Sequence, residues 1–167
     1  MKVSVNGFQI QQAIREAKAE RDQASARFTP SLRHFPGDVV MDPRHVAADF
    51  QAAEERLSQL QALQAKYNLC VKVTVIGNEI TLLEAIKKVG GLGRLEKMWR
   101  SAAAPKADRY GYRDETRDKD AVVSVPTVTY DVASKKRAEV SHYASALRSA
   151  IQMGNANVVE LLTDVVL

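Results

Sequence analysis

Between Lys106 and Lys119 the chain reads KADRYGYRDETRDK, a stretch that joins arginine forks to tyrosine rings. A guanidinium grips phosphate through two parallel N–H donors, and a tyrosine ring offers a flat face to a base. Arg109, Tyr110, Tyr112 and Arg113 therefore have the chemistry of nucleotide recognition. Arg94 and Arg100, beside Trp99, form a second arginine–aromatic group upstream. Asp108, Asp114, Glu115, Asp118 and Asp120 nearly neutralise the cations of the loop. A mixed-sign loop makes a poor phosphate track, so the expected ligand is small and anionic rather than an extended nucleic acid. The bland alternative is a solvated, charge-balanced loop.

Other chemistry finds little support. The histidines at 34, 45 and 142 and the single cysteine have no zinc-ligand spacing. His45 and His142 fall in helical stretches and read as surface residues, whereas His34 lies in a basic loop that could assist an anion. Cys70, inside the apolar run Leu69-Cys70-Val71, reads as a buried small hydrophobe. No phosphate-binding GxxxxGK[ST] and no strand-linked GxGxxG is present. The nearest pattern is Gly90-Gly91-Leu92-Gly93-Arg94, whose amides could cradle an anion but whose glycines sit in a helical pattern, where close packing or a kink is the commoner reason. No serine is framed as a nucleophile, no Cys–His pair is suggested, and the carboxylates fall on solvated faces. The expectation is a non-enzymatic protein with no metal and no cofactor.

The 167 residues fit one domain, 1–167, with enough length for a core without disulfides. Hydrophobic residues make up 46% and charged residues 26%, which excludes global disorder, and aromatics at 6% leave packing to Leu, Val, Ile and Ala. A net charge of +4 permits an anionic partner without requiring one. MKVSVNGFQI lacks the apolar core of a signal peptide, and no apolar run approaches membrane length. These features predict a cytoplasmic protein with no membrane partner.

The pattern predicts a mainly α fold with a small antiparallel β component. Lys-Val-Ser-Val at 2–5 alternates as a strand, Asn6-Gly7 turns, and 8–28 reads as helix with Ile10, Ile14 and Ala17 on one face. Residues 29–42 read as a loop, and Asp42-Pro43 starts a helix over 43–67. Its inward seam is Val46, Phe50, Ala53, Leu57, Leu60, Gln64 and Tyr67, in alternating steps of four and three. Residues 69–76 read as a strand and 80–103 as a helix interrupted at Gly90, Gly91 and Gly93. The 104–120 stretch reads as a mobile loop or a hairpin arm, 121–130 as a strand that Pro126 places at an edge or bulge, and 132–153 as a helix capped by Asp131 and ended by Gly154-Asn155. Val140, Ala144, Leu147 and Ile151 should line its inner face. The apolar tail needs a cover, from its own core or from another subunit.

A weak internal echo links Val3–Gly7 with Val73–Gly77, and Ser58, Leu60 and Asn68 with Ser145, Leu147 and Asn155. It suggests two helical hairpins with short strands, about 1–68 and 69–157, around a pseudo-two-fold. The order of pieces resembles the septicolysin-like family of small bacterial and phage helical proteins. The likeness rests on QAIREAKAERDQ, DPRHVAADF running to QAKYN, a strand followed by ITLLEAI, an RSAA helix end, the DRY loop, and a last helix through LR to IQMGN. The resemblance implies a helical bundle whose family function is unsettled. The chain departs from the family at its 90–93 glycines and in its longer charged loop. Together these readings favour an oligomeric protein that sequesters a nucleotide-like ligand, in the manner of phage sponges for immune-signalling nucleotides. The competing expectation is a structural or protein-interaction homo-oligomer with no ligand.

Overall fold

The computed structural model describes residues 2–37, 41–103 and 127–163. Its elements run β1 (Lys2–Val5), α1 (Gly7–Ser31), α2 (Pro43–Cys70), β2 (Lys72–Val75), β3 (Asn78–Thr81), α3 (Leu82–Ala103), α4 (Tyr130–Ala156) and β4 (Val159–Leu162). The fold is mainly α with a small antiparallel β part, and strand–helix–helix–strand occurs twice in succession.

α1 starts on a reciprocal cap. The Asn6 side chain accepts from the Gln9 amide and the Gln9 side chain accepts from the Asn6 amide, each at 2.9 Å. Two orphan donors of the first turn are thus satisfied. α1 then runs to Ser31, past the boundary expected at 28. Pro30 falls in its last turn, where its missing N–H forfeits one bond without ending the helix earlier. Asp42 caps α2 by accepting from the Arg44 amide at 2.8 Å, with Pro43 at the first helical position as expected.

α1 and α2 pack antiparallel. Three ion pairs join them: Glu20 to Arg56 at 3.1 Å, Arg21 to Glu54 at 3.4 Å and Arg27 to Asp49 at 3.8 Å. Seven residues forward along α1, from Glu20 to Arg27, correspond to seven back along α2, from Arg56 to Asp49. Between the helices lie Ile10, Ile14, Ala17 and Ala24 from α1 and Val46, Ala53, Leu57, Leu60, Leu63 and Tyr67 from α2, all buried. The expected α2 seam holds except that Phe50 and Gln64 are half-buried and Leu63 takes the buried place beside Gln64.

α2 extends to Cys70, which is exposed rather than buried, because the helix continues three residues past Tyr67 and turns the thiol to solvent. The strand expected over 69–76 contracts to Lys72–Val75, and a second strand, Asn78–Thr81, pairs with it. Ile76 and Gly77 both adopt positive φ, 48° and 79°, the turn geometry that matches strand twist in a two-residue hairpin. Thr81 then caps α3, accepting from the Glu84 amide at 3.1 Å.

The C-terminal strand β4 pairs antiparallel with β1, Val3 opposite Leu161 and Val5 opposite Val159. Of the apolar tail, Leu161 and Thr163 are buried and Leu162 stays 70% exposed, and residues 164–167 lie outside the described residues. The two ladders share their chemistry. Lys2 reaches Glu160 and Lys72 reaches Glu79 on the same diagonal, over Val3–Leu161 and Val73–Ile80 pairs.

The chain divides into two compact units, 1–85 with 150–167, and 86–149. In the first, the Tyr67 hydroxyl donates toward the carbonyls of Gly154 and Asn157, each at 2.7 Å, and receives the Gly7 amide. The second holds most of α3 and α4. α3 is one unbroken helix, so Gly90, Gly91 and Gly93 do not interrupt it. Its partly or fully buried stripe is Val89, Leu92, Glu96, Trp99 and Ala103, continuing Leu82 and Ala85 at heptad spacing. α4 begins at Tyr130, capped by Thr129 rather than Asp131, and the Thr129 hydroxyl accepts from the Val132 amide at 3.4 Å. Residues 127–130 are accordingly not strand, and 121–126 lie outside the described residues. Ala144 and Leu147 are buried and Val140 and Ile151 half-buried, as expected. The helix continues through Gly154 and Asn155 to Ala156, because Gly154 is held helical where it packs on Val73 and Leu82.

Candidate functional site

Of the seven candidate ligand-binding residues, Arg94, Trp99 and Arg100 lie on α3. Arg109, Tyr110, Tyr112 and Arg113, with the rest of the 104–120 loop, lie outside the described residues. At about 100° per residue, Trp99 and Arg100 point roughly 140° and 120° away from Arg94 on opposite sides of the helix. α3 alone does not bring the three to one face. Trp99 joins the inward stripe and is half-buried. Arg100 is tied to Glu96 at 3.1 Å, with the Glu96 side chain only 15% exposed. Arg94 is exposed and has no ion-pair or hydrogen-bond partner among the described residues.

The glycines beside Arg94 do not form an anion nest. Their amides lie mid-helix, committed to the backbone ladder, and therefore cannot converge on a ligand. Close packing among the described residues does not explain them either: a Cβ built at Gly90, Gly91 or Gly93 meets no described atom within 4 Å.

Two hollows in the first unit are lined by charged and polar groups that largely pair with one another. One, on the α1–α2 hairpin, is lined by Glu20, Gln23, Arg27, Asp49 and Arg56, and its arginines are spent on its carboxylates. The other runs along β1 and the first turns of α1, past Val3, Phe8, Gln12, Arg15 and Glu16. There Gln12 donates to Glu16 at 2.7 Å and accepts from Arg15 at 2.7 Å.

Electrostatic perturbations are few and have local causes. The Arg44 side chain, then its amide, hold the Asp42 carboxyl below its ordinary range. Lys136, at 2.8 Å, does the same for Glu139. Burial pushes the Tyr67 phenol up. None of these groups lies beside Arg94 in sequence. No group of three or more His, Cys, Asp or Glu among the described residues could hold a metal ion, and no described helix is long and apolar enough to cross a membrane.

Charge is where the two units part. Among described residues, 86–149 carry nine Lys and Arg against three Asp and Glu, whereas the other unit carries ten of each. The sequence of 104–126 adds five of each sign. The excess positive charge therefore belongs to α3 and α4. Sequence reading missed Lys87 and Lys97, which with Arg94 occupy the outward face of α3. The spacing that reveals them, seven and then three residues, counts only once the helix is known to pass unbroken through Gly90–Gly93. No family model matches the chain, and no curated protein and no solved structure matches it.

Proposed function

We propose that the chain is a non-enzymatic binding protein for a small, phosphate-bearing, nucleotide-like ligand, working as a homo-oligomer. One observation carries this reading: the surplus positive charge lies in 86–149, the unit that contains all seven candidate ligand-binding residues. Arg94 supports it as an exposed guanidinium with no described partner, since an unpaired arginine is free to take a phosphate bidentately. A phage-type sponge for signalling nucleotides fits these properties by analogy, for it needs affinity and no catalytic groups. The test is native mass spectrometry of gently purified protein, followed by a thermal-shift screen of nucleotides on wild type and on Arg109→Ala/Arg113→Ala. A bound extra mass, or a nucleotide-induced rise in melting temperature that the double variant loses, supports the reading. Silence in both experiments removes it.

A structural homo-oligomer is favoured by a different observation. Phe8, Val158 and Leu162 are 47%, 65% and 70% exposed, near the β1–β4 ladder in the chain. In that case the same spectra show an assembly of bare subunits.

A further inference from the structure

We propose that the outward face of α3 docks against double-stranded DNA, with Lys87, Arg94 and Lys97 on the phosphate backbone and Gly90 giving that backbone room to approach. This goes beyond the small-ligand reading and stands independently of it. By helical spacing Lys87 and Arg94 lie about 20° apart and Lys97 about 60° further round, over roughly 15 Å of helix. Gly90 falls between Arg94 and Lys97 on the same exposed face, opposite the buried stripe of Val89, Leu92, Glu96 and Ala103, whereas Gly91 is half-buried and lies about 40° beyond Lys87. All three cations are exposed, and no acidic side chain among the described residues pairs with them. In the first unit, by contrast, Arg21, Arg27, Arg44 and Arg56 are all spent on carboxylates.

Three further features select the partner. Interior glycines cost helix stability, and here nothing within the described protein fills the space beside them. An external backbone pressed close to the helix would. Base stacking is ruled out as the main contact because the face has no aromatic residue: Trp99 belongs to the buried stripe. A single-stranded partner, which binds largely by stacking, is thereby disfavoured. A bare helix of about 10–12 Å fits the roughly 12 Å major groove of B-DNA and not the narrow one of duplex RNA. An anionic membrane fits less well, since the one large exposed apolar residue beside the cations is Met98, at the edge of the face about 40° from Arg94. The face has no asparagine or glutamine to read base edges, so binding should be independent of sequence. The mixed-sign 106–119 loop argued against extended nucleic acid, but α3 does not share its balance.

The experiment is fluorescence anisotropy of the full chain with a labelled 20-base-pair DNA duplex, at stepped salt. Three phosphate contacts predict a slope of about −2.7 in log affinity against log salt, or roughly 40-fold weaker binding at 200 than at 50 mM. Lys87→Gln/Arg94→Gln/Lys97→Gln, checked by circular dichroism, should weaken binding at least ~10-fold at 50 mM salt. Gly90→Gln, which keeps the charge but fills the gap, should weaken it too. The proposal is overturned by absent binding at 50 mM salt or by a folded triple variant that binds like wild type. It is equally overturned by a flat salt response, or by preference for duplex RNA or phosphatidylserine vesicles. If the triple variant does not fold, the wild-type salt slope and Gly90→Gln decide. A negative result leaves the nucleotide reading intact, because that reading is tested on Arg109 and Arg113.

Discussion

The Tyr67 hydroxyl lies 2.7 Å from the Gly154 carbonyl, so the bulkiest fully buried side chain meets a helix position with no side chain at all. The match is chemical as well as steric. The Gly7 amide is an orphan donor at the start of α1, and the carbonyls of Gly154 and Asn157 are acceptors at the end of α4. One phenol joins both helix ends. The alignment that pairs Ser58 with Ser145 and Leu60 with Leu147 also pairs Tyr67 with Gly154.

Removing that hydroxyl should be costly. Tyr67→Phe leaves the Gly7 amide and two carbonyls competing for fewer partners in a dry site. A loss of about 1–3 kcal/mol is expected in urea unfolding at pH 7. The same burial raises the phenol's pKa above its ordinary 10.0, so the native state resists ionisation while the unfolded chain does not. Wild-type stability should therefore hold below pH 10 and fall above it, and Tyr67→Phe should flatten that fall.

Asp42 should make the protein acid-sensitive. Its carboxyl accepts from the Arg44 amide and side chain, and its folded pKa lies below the ordinary 3.8. Its contribution is then present above about 3.8 and disappears as pH falls through the folded value. Asp42→Asn keeps a capping oxygen but no charge. The drop in urea midpoint between pH 7 and pH 3 should be smaller in this variant than in wild type. An equal drop would assign the acid loss to other carboxylates.

How much of this was readable follows from the signals involved. The α1–α2 seam was legible because Leu57, Leu60 and Tyr67 repeat at heptad steps, and only packing could decide between Leu63 and Gln64. β3 was missed because Asn78-Glu79-Ile80-Thr81 has a single apolar residue, too few to alternate. Cys70 was misplaced because no glycine or proline separates α2 from β2, and an apolar run does not reveal where a helix stops. At the site, Arg94 was visible by type. Its neighbours Lys87 and Lys97 were not, because Gly90–Gly93 suggested a break that would have scattered them.

Ile76 is a β-branched residue at φ 48° on an exposed turn, a conformation asparagine tolerates and isoleucine does not. Ile76→Asn creates the asparagine–glycine pair favoured in such hairpins and sacrifices little burial, since Ile76 is 61% exposed. Stabilisation of about 1 kcal/mol is expected from the relieved backbone. Unchanged or lower stability would mean that the Ile76 side chain has a partner.

The glycines of α3 and α4 should respond to alanine with opposite signs. At Gly154 a new Cβ would come within 2.7 Å of Val73 and 3.1 Å of Leu82, both buried, so Gly154→Ala should destabilise by about 1–3 kcal/mol. At Gly90, Gly91 and Gly93 the same methyl meets nothing, and the helix gains propensity of up to about 1 kcal/mol each. Urea unfolding of the four single variants measures both. If the α3 variants are stabilised, these glycines are retained at a cost to the fold, and the reason must lie in what the outward face of α3 contacts. If instead they destabilise, the space beside them is filled from within the chain, and the face around Arg94 is not open to a partner.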